Sequence, residues 1–401
     1  MPEQFEKDNI AILTGNGFSV AYTRKLLLKN ITNDIHDRFK AESDQVAVDA
    51  LTRLSTAVDL GKKTSSRDFE ALVGALEDLE QYLELLNPLR SIDTNQSSQD
   101  LGGALDAVQS FVRRLYSIGV SHVLESIYTN STTTKQELEP FVELIQEIFK
   151  RFHGTVAFGN LNYDTILLSA LLKAKGNSKY REDLDYFQVS DFAHPGWTDY
   201  EMANGVVDDE IKEKFLPLRS SEEDFEKSLE RYRGQLLHLH GSIQFWKHND
   251  QKILAKTRRK DDTLTDDWWR KLRDQTGEWS PLVVLANSRN KDSHVSEEPF
   301  RLAYDTFRKR LETAHHWMLI GYSFRDSAIN NMLSNAFLKH KTEYDAPPRI
   351  LISTRGDDIS KVRFLELLGY DNPDSDLSWL SIHRDGVREL RASKEWKQFS
   401  R

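Results

Sequence analysis

Residues 9–19 read Asn9-Ile10-Ala11-Ile12-Leu13-Thr14-Gly15-Asn16-Gly17-Phe18-Ser19. The apolar run is typical of a buried strand; it stops at a Gly-x-Gly turn, and the residues after the turn favour a helix. Glycine lets the backbone approach an anion, and the amides and dipole at a helix N-terminus favour negative charge. The segment therefore predicts a strand, turn and helix that hold nucleotide phosphates. The alternative is that the glycines end the strand for steric reasons alone.

Composition limits the function classes. The chain has 401 residues, enough for one large α/β domain or two smaller ones. Its 54 Lys and Arg against 63 Asp and Glu give a formal charge of −9, so we expect no direct binding of nucleic acid. The absence of cysteine excludes disulfides, thiolate zinc sites and cysteine nucleophiles. The first residues are too charged for a secretory signal, and no apolar run approaches the roughly twenty residues of a membrane span. We therefore expect a soluble, cytoplasmic protein without membrane association.

Two segments interrupt the strand pattern. Residues 20–152 carry apolar side chains at helical spacing, such as Ile31, Ile35 and Phe39, and show no strand alternation. We predict that they form a helical insertion between the first and second strands. Residues 175–233 are irregular and charged, and we interpret them as a peripheral insertion. With these insertions, residues 1–401 are predicted to be a single domain.

Later apolar runs also end in polar turns. The four turns that follow predicted strands are Gly15-Asn16-Gly17, Asn162-Tyr163-Asp164, His240-Gly241 and Gly321-Tyr322-Ser323. A further run, Pro281–Ala286, is typical of a strand covered on both faces. Strands that alternate with helices indicate parallel pairing, and ligands bind at the carboxyl edge of such sheets. The prediction is a Rossmann-like α/β fold with a mainly parallel sheet flanked by helices, whose turns meet in one crevice.

Several polar residues also have structural interpretations. Asp164 and Asp326 each stand before a predicted helix and could be its N-cap. Asn162 could be a turn residue, and Asn330 could be a polar residue of a first helical turn. These interpretations stay open beside a role in binding.

Two histidines alternate with leucines in the run Gln235–Ser242. Period-two alternation places His238 and His240 on one face of a strand and Leu237 and Leu239 on the other. A buried histidine held by backbone groups is the structural alternative for both. A metal site is disfavoured, because no nearby Asp or Glu completes a ligand set.

These turns together resemble the sirtuin family, in family order, from residue 10 to about residue 385. The matching segments are Gly15-Asn16-Gly17-Phe18-Ser19, Asn162-Tyr163-Asp164, His240-Gly241, Gly321-Tyr322-Ser323-Phe324 and Ser353-Thr354. Sirtuin deacylases carry a four-cysteine zinc ribbon, which a chain without cysteine cannot form. In lacking the ribbon, and in its long insertion and its Gly-Tyr-Ser-Phe-x-Asp motif, the chain resembles the bacterial sirtuin-like effectors of antiphage defence.

The resemblance implies an activity and partners. It implies hydrolysis of NAD+, as substrate, to ADP-ribose and nicotinamide, without a metal. It also implies a homo-oligomer and a defence-system partner such as a HerA-type ATPase or a short Argonaute. An NAD-dependent protein deacylase and a non-catalytic module that binds NAD or ADP-ribose and works through assembly are the alternatives. A dehydrogenase is disfavoured, because Val20 stands where its fingerprint requires a third small residue.

The same resemblance assigns roles to individual residues. His240 is the expected general base, Asn162 holds the ribose hydroxyls or the attacking water, and Asp164 fixes the loop or contacts the nicotinamide. The residues expected to bind NAD are Gly15, Asn16, Gly17, Phe18, Ser19, Gly321, Tyr322, Ser323, Asp326, Asn330 and Thr354.

Overall fold

The structure is a computed structural model of the chain. It describes residues 9–41, 45–61, 69–88, 96–133, 137–176, 189–194, 196–219, 221–223, 232–258, 260–285, 296–356, 360–370 and 377–401. Parts of the predicted insertions at 20–152 and 175–233, and Ala286 of the predicted strand Pro281–Ala286, lie outside these residues.

The described strands form two sheets. In chain order they are β1 Ile10–Thr14, β2 Val156–Asn160, β3 Val189–Ser190, β4 Phe215–Pro217, β5 Gly234–His238, β6 Gly241–His248, β7 Leu254–Thr257, β8 Trp279–Val283, β9 His316–Ile320, β10 Arg349–Ser353 and β11 Leu380–His383. The larger sheet has seven strands in the order β11-β10-β9-β1-β2-β5-β3, and all of its pairings are parallel. The smaller sheet has the order β4-β7-β6-β8 and is antiparallel.

The central strand β1 explains the apolar run at the N-terminus. It lies between β2 and β9, and all five of its residues are buried. A parallel strand covered on both faces needs apolar side chains throughout. Thr14, its last residue, is in register with Asn160 of β2 and Ile320 of β9, so three turns leave the sheet at one level. From β1 the chain continues to β2 on one side, whereas from β9, on the other side of β1, it continues outward to β10, and such a switch point opens a crevice. The predicted Rossmann-like fold is confirmed.

Helices connect the adjacent strands β1 and β2 along the chain, as predicted. They are α1 Asn16–Tyr22, α2 Leu28–Ala41, α3 Gln45–Gly61, α4 Phe69–Leu85, α5 Gln96–Thr132 and α6 Glu139–Arg151, with a short 3₁₀ turn at Arg24–Leu26. Their apolar faces share one core with one side of the sheet, in which Phe39, Leu115 and Phe141 are buried. The remaining helices are α7 Ile166–Gly176, α8 Thr198–Asn204, α9 Asp209–Lys214, α10 Lys260–Thr263, α11 Asp266–Arg273, α12 Phe300–Thr313, α13 Ser327–Glu343, α14 Lys361–Leu367, α15 Val387–Leu390 and α16 Lys394–Phe399.

The strand predicted at residues 281–286 is less buried than expected. This segment was expected to be a strand covered on both faces, but β8 is an edge strand of the small sheet and most of its residues are only half-buried. Pro281 fits an edge strand, because proline has no N–H to give to a second neighbour. A short apolar run does not by itself reveal which sheet it joins.

Within the part of the chain that the structure describes, no helix is both long and apolar enough to cross a bilayer.

Candidate active site

The predicted turns meet at the carboxyl edge of the parallel sheet. The amide of Gly15 donates to the Ile320 carbonyl at 2.9 Å, and the amide of Gly321 donates to the Ser353 carbonyl at 2.8 Å. On the other side of β1, the Leu239 amide donates to the Asn160 carbonyl at 2.9 Å, which joins the histidine turn to the end of β2. Backbone hydrogen bonds therefore connect the turns to one another across the ends of the strands.

The two glycine turns lie backbone against backbone. The Gly17 amide donates to the Gly321 carbonyl at 2.9 Å, and a Cβ added to Gly17 would lie 2.6 Å from the Gly321 Cα. A Cβ on Gly15 would lie 2.8 Å from the Gly321 carbonyl oxygen. Steric fit therefore accounts for these glycines, as the alternative interpretation held. The amides of Gly15 and Gly17, expected to cradle phosphate, donate to carbonyls of the protein instead.

The other residues of the first turn differ in exposure. Phe18 is buried, and its ring meets the Phe141 ring edge-on at 4.9 Å between centroids, so its side chain belongs to the helical core. Asn16 is half-buried at the start of α1. Ser19, in the first turn of α1, is completely buried.

Asn162 is held in a network of buried side chains. Its Nδ2 donates to the Gly15 carbonyl at 3.0 Å, and its own carbonyl accepts from Asn160 Nδ2 at 3.0 Å. Asn160 Oδ1 in turn accepts from Thr14 Oγ1 at 2.9 Å. Sequence reasoning did not single out Thr14 or Asn160. The available signal was a polar residue at the last position of two otherwise apolar strands.

The two residues after Asn162 make structural hydrogen bonds, and the Tyr163 ring also lies beside His240. Asp164 is buried, and its Oδ1 accepts from the amide of Ile166, the first residue of α7, at 2.9 Å, so it pairs one of the amides that a helix start leaves without a helical partner. The Tyr163 hydroxyl donates to the Val284 carbonyl at 2.8 Å, and its ring lies 6.3 Å from the His240 ring.

His240 pairs with a carboxylate from a distant turn. Its Nε2 lies 3.1 Å from Asp326 Oδ2, and each side chain is only 6% exposed. The other oxygen of Asp326 accepts from the Ile329 amide at 3.1 Å and caps α13. The capping interpretation of Asp326 therefore matches its geometry. The pairing with His240 was not foreseen, because Asp326 was expected to contact NAD.

The turn at residues 321–326 exposes two polar side chains, those of Ser323 and Arg325. Two of its residues have left-handed backbone angles, Gly321 with φ 61° and Phe324 with φ 57°. The Tyr322 hydroxyl lies 2.8 Å from Asn330 Oδ1, and Asn330 Nδ2 donates to the Phe324 carbonyl at 3.0 Å. Burial raises the pKa of the Tyr322 phenol, which keeps it protonated. Tyr322 and Asn330 therefore hold the turn through partly buried hydrogen bonds, while Ser323 and Arg325 are exposed.

Two buried hydroxyls at this edge have no hydrogen-bond partner among the described residues. They are Ser19 Oγ, in the first turn of α1, and Ser353 Oγ, at the end of β10. A buried hydroxyl in a native protein is normally paired, so such atoms mark positions that a ligand or water satisfies. Thr354, the next residue, is buried, and its amide donates to the His383 carbonyl at 2.9 Å.

His238 does not join His240, and the expectation that both lie on one strand face is wrong. β5 ends at His238, and residues 239–240 form a turn. His238 lies in the core with its ring 5.0 Å from Phe245, and burial lowers its pKa to about 4, so it is neutral. Gly241, with φ 81°, then starts β6 against the Leu282 carbonyl. In the segments that the structure covers, no group of three potential ligands could hold a metal ion.

Comparisons with known proteins identify the family. A SIR2-like domain model matches residues 156–371, more than half of the chain. This range contains Asn162, His240 and the turn at residues 321–326, while the first glycine turn precedes it. Comparison with curated proteins gives no match. The chain therefore belongs to the SIR2-like domain family, and this membership implies the use of NAD+.

Proposed function

We propose that this protein hydrolyses NAD+ at the bond between nicotinamide and ribose, giving nicotinamide and ADP-ribose. The observation that carries the proposal is the position of His240, whose buried imidazole stands at the edge where the turns of the sheet meet. A histidine in such a position can act as a general base near neutral pH.

The chemistry requires little beyond orientation and a base. Nicotinamide leaves a positively charged ring as a neutral molecule, and the ribose passes through a state that resembles an oxocarbenium ion. The bond from the anomeric carbon to the nicotinamide nitrogen breaks with its electron pair going to nicotinamide. An oxygen–carbon bond forms from water, whose proton His240 accepts and later releases to solvent. A positioned base contributes about 10²- to 10⁴-fold to such a rate.

The remaining residues hold the substrate. We assign the hydroxyls of Ser19 and Ser353 to the phosphates or ribose hydroxyls of NAD+, because both are buried without a partner among the described residues. Ser323 and Thr354 lie on the neighbouring turns and are assigned to the adenosine half. Asn162 fixes the first glycine turn through the Gly15 carbonyl and orients the ribose or the attacking water.

The biological part of the proposal rests on the sequence resemblance alone. We propose that NAD+ depletion serves antiphage defence, in a homo-oligomer and with a partner such as a HerA-type ATPase. Co-expression with proteins encoded beside it, followed by measurement of NAD+ in infected cells, tests this part separately.

The enzymatic proposal is tested with the purified chain and NAD+, alone and with its co-expressed neighbours. Nicotinamide and ADP-ribose are measured by liquid chromatography, with and without an acetyl-lysine peptide. Equal release of nicotinamide in both conditions supports hydrolysis. Release only with peptide, together with O-acetyl-ADP-ribose, would make the protein a deacylase. NAD+ binding without turnover in every preparation would make it a binding module.

Asn162→Ala is expected to lower kcat/KM for NAD+ by about 10²-fold, because a misplaced positioning group costs roughly that much. The change removes the hydrogen bond from Nδ2 to the Gly15 carbonyl. Asn130→Ala is the matched control, since it removes a hydrogen bond from a side-chain amide to the Ser126 hydroxyl on α5. The two variants are compared by steady-state kinetics after circular dichroism has verified their folding. Equal kcat/KM values for both would contradict the role of Asn162.

Ser19→Ala is expected to raise KM for NAD+ by about tenfold or more, since a hydrogen bond to a charged group contributes roughly 1.5–3 kcal/mol. The thermal midpoint should stay the same or rise, because the hydroxyl has no partner among the described residues. Ser121→Ala provides the contrast: its buried hydroxyl donates to the Trp269 carbonyl at 3.2 Å, so its loss should lower the midpoint and leave KM unchanged. A lower midpoint with wild-type KM in Ser19→Ala would assign its hydroxyl to the fold.

A further inference from the structure

Asp326 joins two elements through its two carboxylate oxygens. Oδ1 accepts from the Ile329 amide at 3.1 Å and caps α13, while Oδ2 lies 3.1 Å from His240 Nε2, 86 residues away in sequence. Both side chains of the pair are 6% exposed, so solvent screens their interaction little. An N-cap uses only one carboxylate oxygen, and the second oxygen of Asp326 is within hydrogen-bond distance of the imidazole Nε2.

The chemistry of this contact fixes the proton on the ring. An ionised carboxylate only accepts hydrogen bonds, so Nε2 must carry the hydrogen that lies between them. A neutral imidazole with its hydrogen on Nε2 has its lone pair on Nδ1. We propose that Asp326 is a positioning residue that selects this tautomer and makes Nδ1 of His240 the basic nitrogen. The inference rests on the proposed hydrolysis of NAD+ for its catalytic meaning.

The proton path follows from the tautomer. The proton of the attacking water moves to Nδ1, the hydrogen on Nε2 stays shared with Asp326, and the carboxylate itself is not protonated. The imidazolium that forms is stabilised by the carboxylate beside it, as in other pairs of a base with an orienting acid.

The turn that carries Asp326 is built to hold the carboxylate in place. Phe324 has φ 57°, a backbone angle that bulky residues rarely adopt, and its ring packs 5.3 Å from Phe364. The Tyr322 hydroxyl lies 3.0 Å from the Asp326 carbonyl oxygen. The backbone on both sides of the carboxylate is therefore fixed, and the orientation of the imidazole is fixed with it.

Two substitutions separate the cap from the pairing. Asp326→Asn and Asp326→Ser both keep a good N-cap, since Asn, Asp and Ser are about equal there. Asn removes the charge and offers an N–H to the ring, and Ser is too short to reach it. We expect kcat to fall by about 10²- to 10⁴-fold in both, the upper value being that of a wrong tautomer in another enzyme. KM should stay near wild type in both, and the thermal midpoint should stay near wild type in Asp326→Asn and fall in Asp326→Ser, which leaves the buried ring nitrogen without its partner. Asp208→Asn, at the exposed cap of α9, is the matched control.

A readout without substrate tests the tautomer directly. Nitrogen-15 NMR of the imidazole, assigned by comparison with His240→Gln, should show the neutral ring of His240 protonated on Nε2 in the wild type. In Asp326→Asn the signals should move toward the form protonated on Nδ1. A wild-type ring protonated on Nδ1, or wild-type kcat in Asp326→Asn, would overturn the inference. If the wild type shows the Nε2–H form and no enzymatic turnover, the proposed function fails and the assignment of the tautomer stands.

Discussion

His240→Ala will lower the rate of nicotinamide release from NAD+ by about 10²- to 10⁴-fold, the contribution of a positioned general base. The imidazole is buried at the edge where the turns converge, and its Nε2 faces a carboxylate that orients it. Its loss removes the group that we propose as proton acceptor for the attacking water. The measurement is kcat at saturating NAD+, because substrate binding through the serine hydroxyls should remain.

The alanine variant also leaves Asp326 buried without its partner, which destabilises proteins. His240→Gln avoids this effect, since the glutamine amide nitrogen can still donate to Asp326. The glutamine side chain cannot act as a base. His153→Ala serves as the control, because His153 is exposed and precedes β2 at the opposite edge of the sheet. If His240→Gln folds and keeps activity within threefold of the wild type, His240 is not the base.

Gly321→Ala will destabilise the protein by about 2–5 kcal/mol, the sum of roughly 1–2 kcal/mol for a left-handed residue and 1–3 kcal/mol or more for overpacking. Gly321 has φ 61°, and a Cβ there would lie 2.5 Å from the backbone of Gly17. Backbone atoms cannot move aside as the end of a side chain can. The denaturant midpoint of unfolding measures the effect.

Gly103→Ala is the matched control for this substitution. Gly103 is exposed in α5, and nothing lies within 4 Å of the Cβ that it would gain. Alanine in a helix interior is favoured over glycine by up to about 1 kcal/mol, so this variant should unfold at a higher denaturant concentration. Equal stability of Gly321→Ala and the wild type would mean that the two glycine turns do not touch in solution.

Sequence patterns predicted the features that depend on local physics. The apolar run of β1 followed from burial on both faces, and the placement of the polar turns at one edge followed from parallel pairing. The bonds from amides at helix starts to Asp164 and Asp326 could be anticipated for the same reason, because they join neighbours in sequence.

What the sequence did not reveal depends on contacts between distant residues. The bond from Thr14 to Asn160 joins positions 146 apart, and the pair of His240 and Asp326 joins positions 86 apart. Neither follows from composition or spacing. The alternation of histidine and leucine led to a wrong prediction for a related reason. The period of two ends with β5, at His238, and after the turn the chain enters a different sheet at Gly241.

The direct contact between the two glycine turns has a consequence for the energetics of recognition. Gly17 and Gly321 are ordered by each other through the hydrogen bond at 2.9 Å, and their backbones are in contact before any dinucleotide arrives. Ordering the backbone of one residue costs roughly 1–2 kcal/mol in conformational entropy. For these two glycines that entropy is already lost when the protein folds. The surface proposed to bind the dinucleotide is therefore preorganised, and on that proposal more of the interaction energy is expressed as affinity.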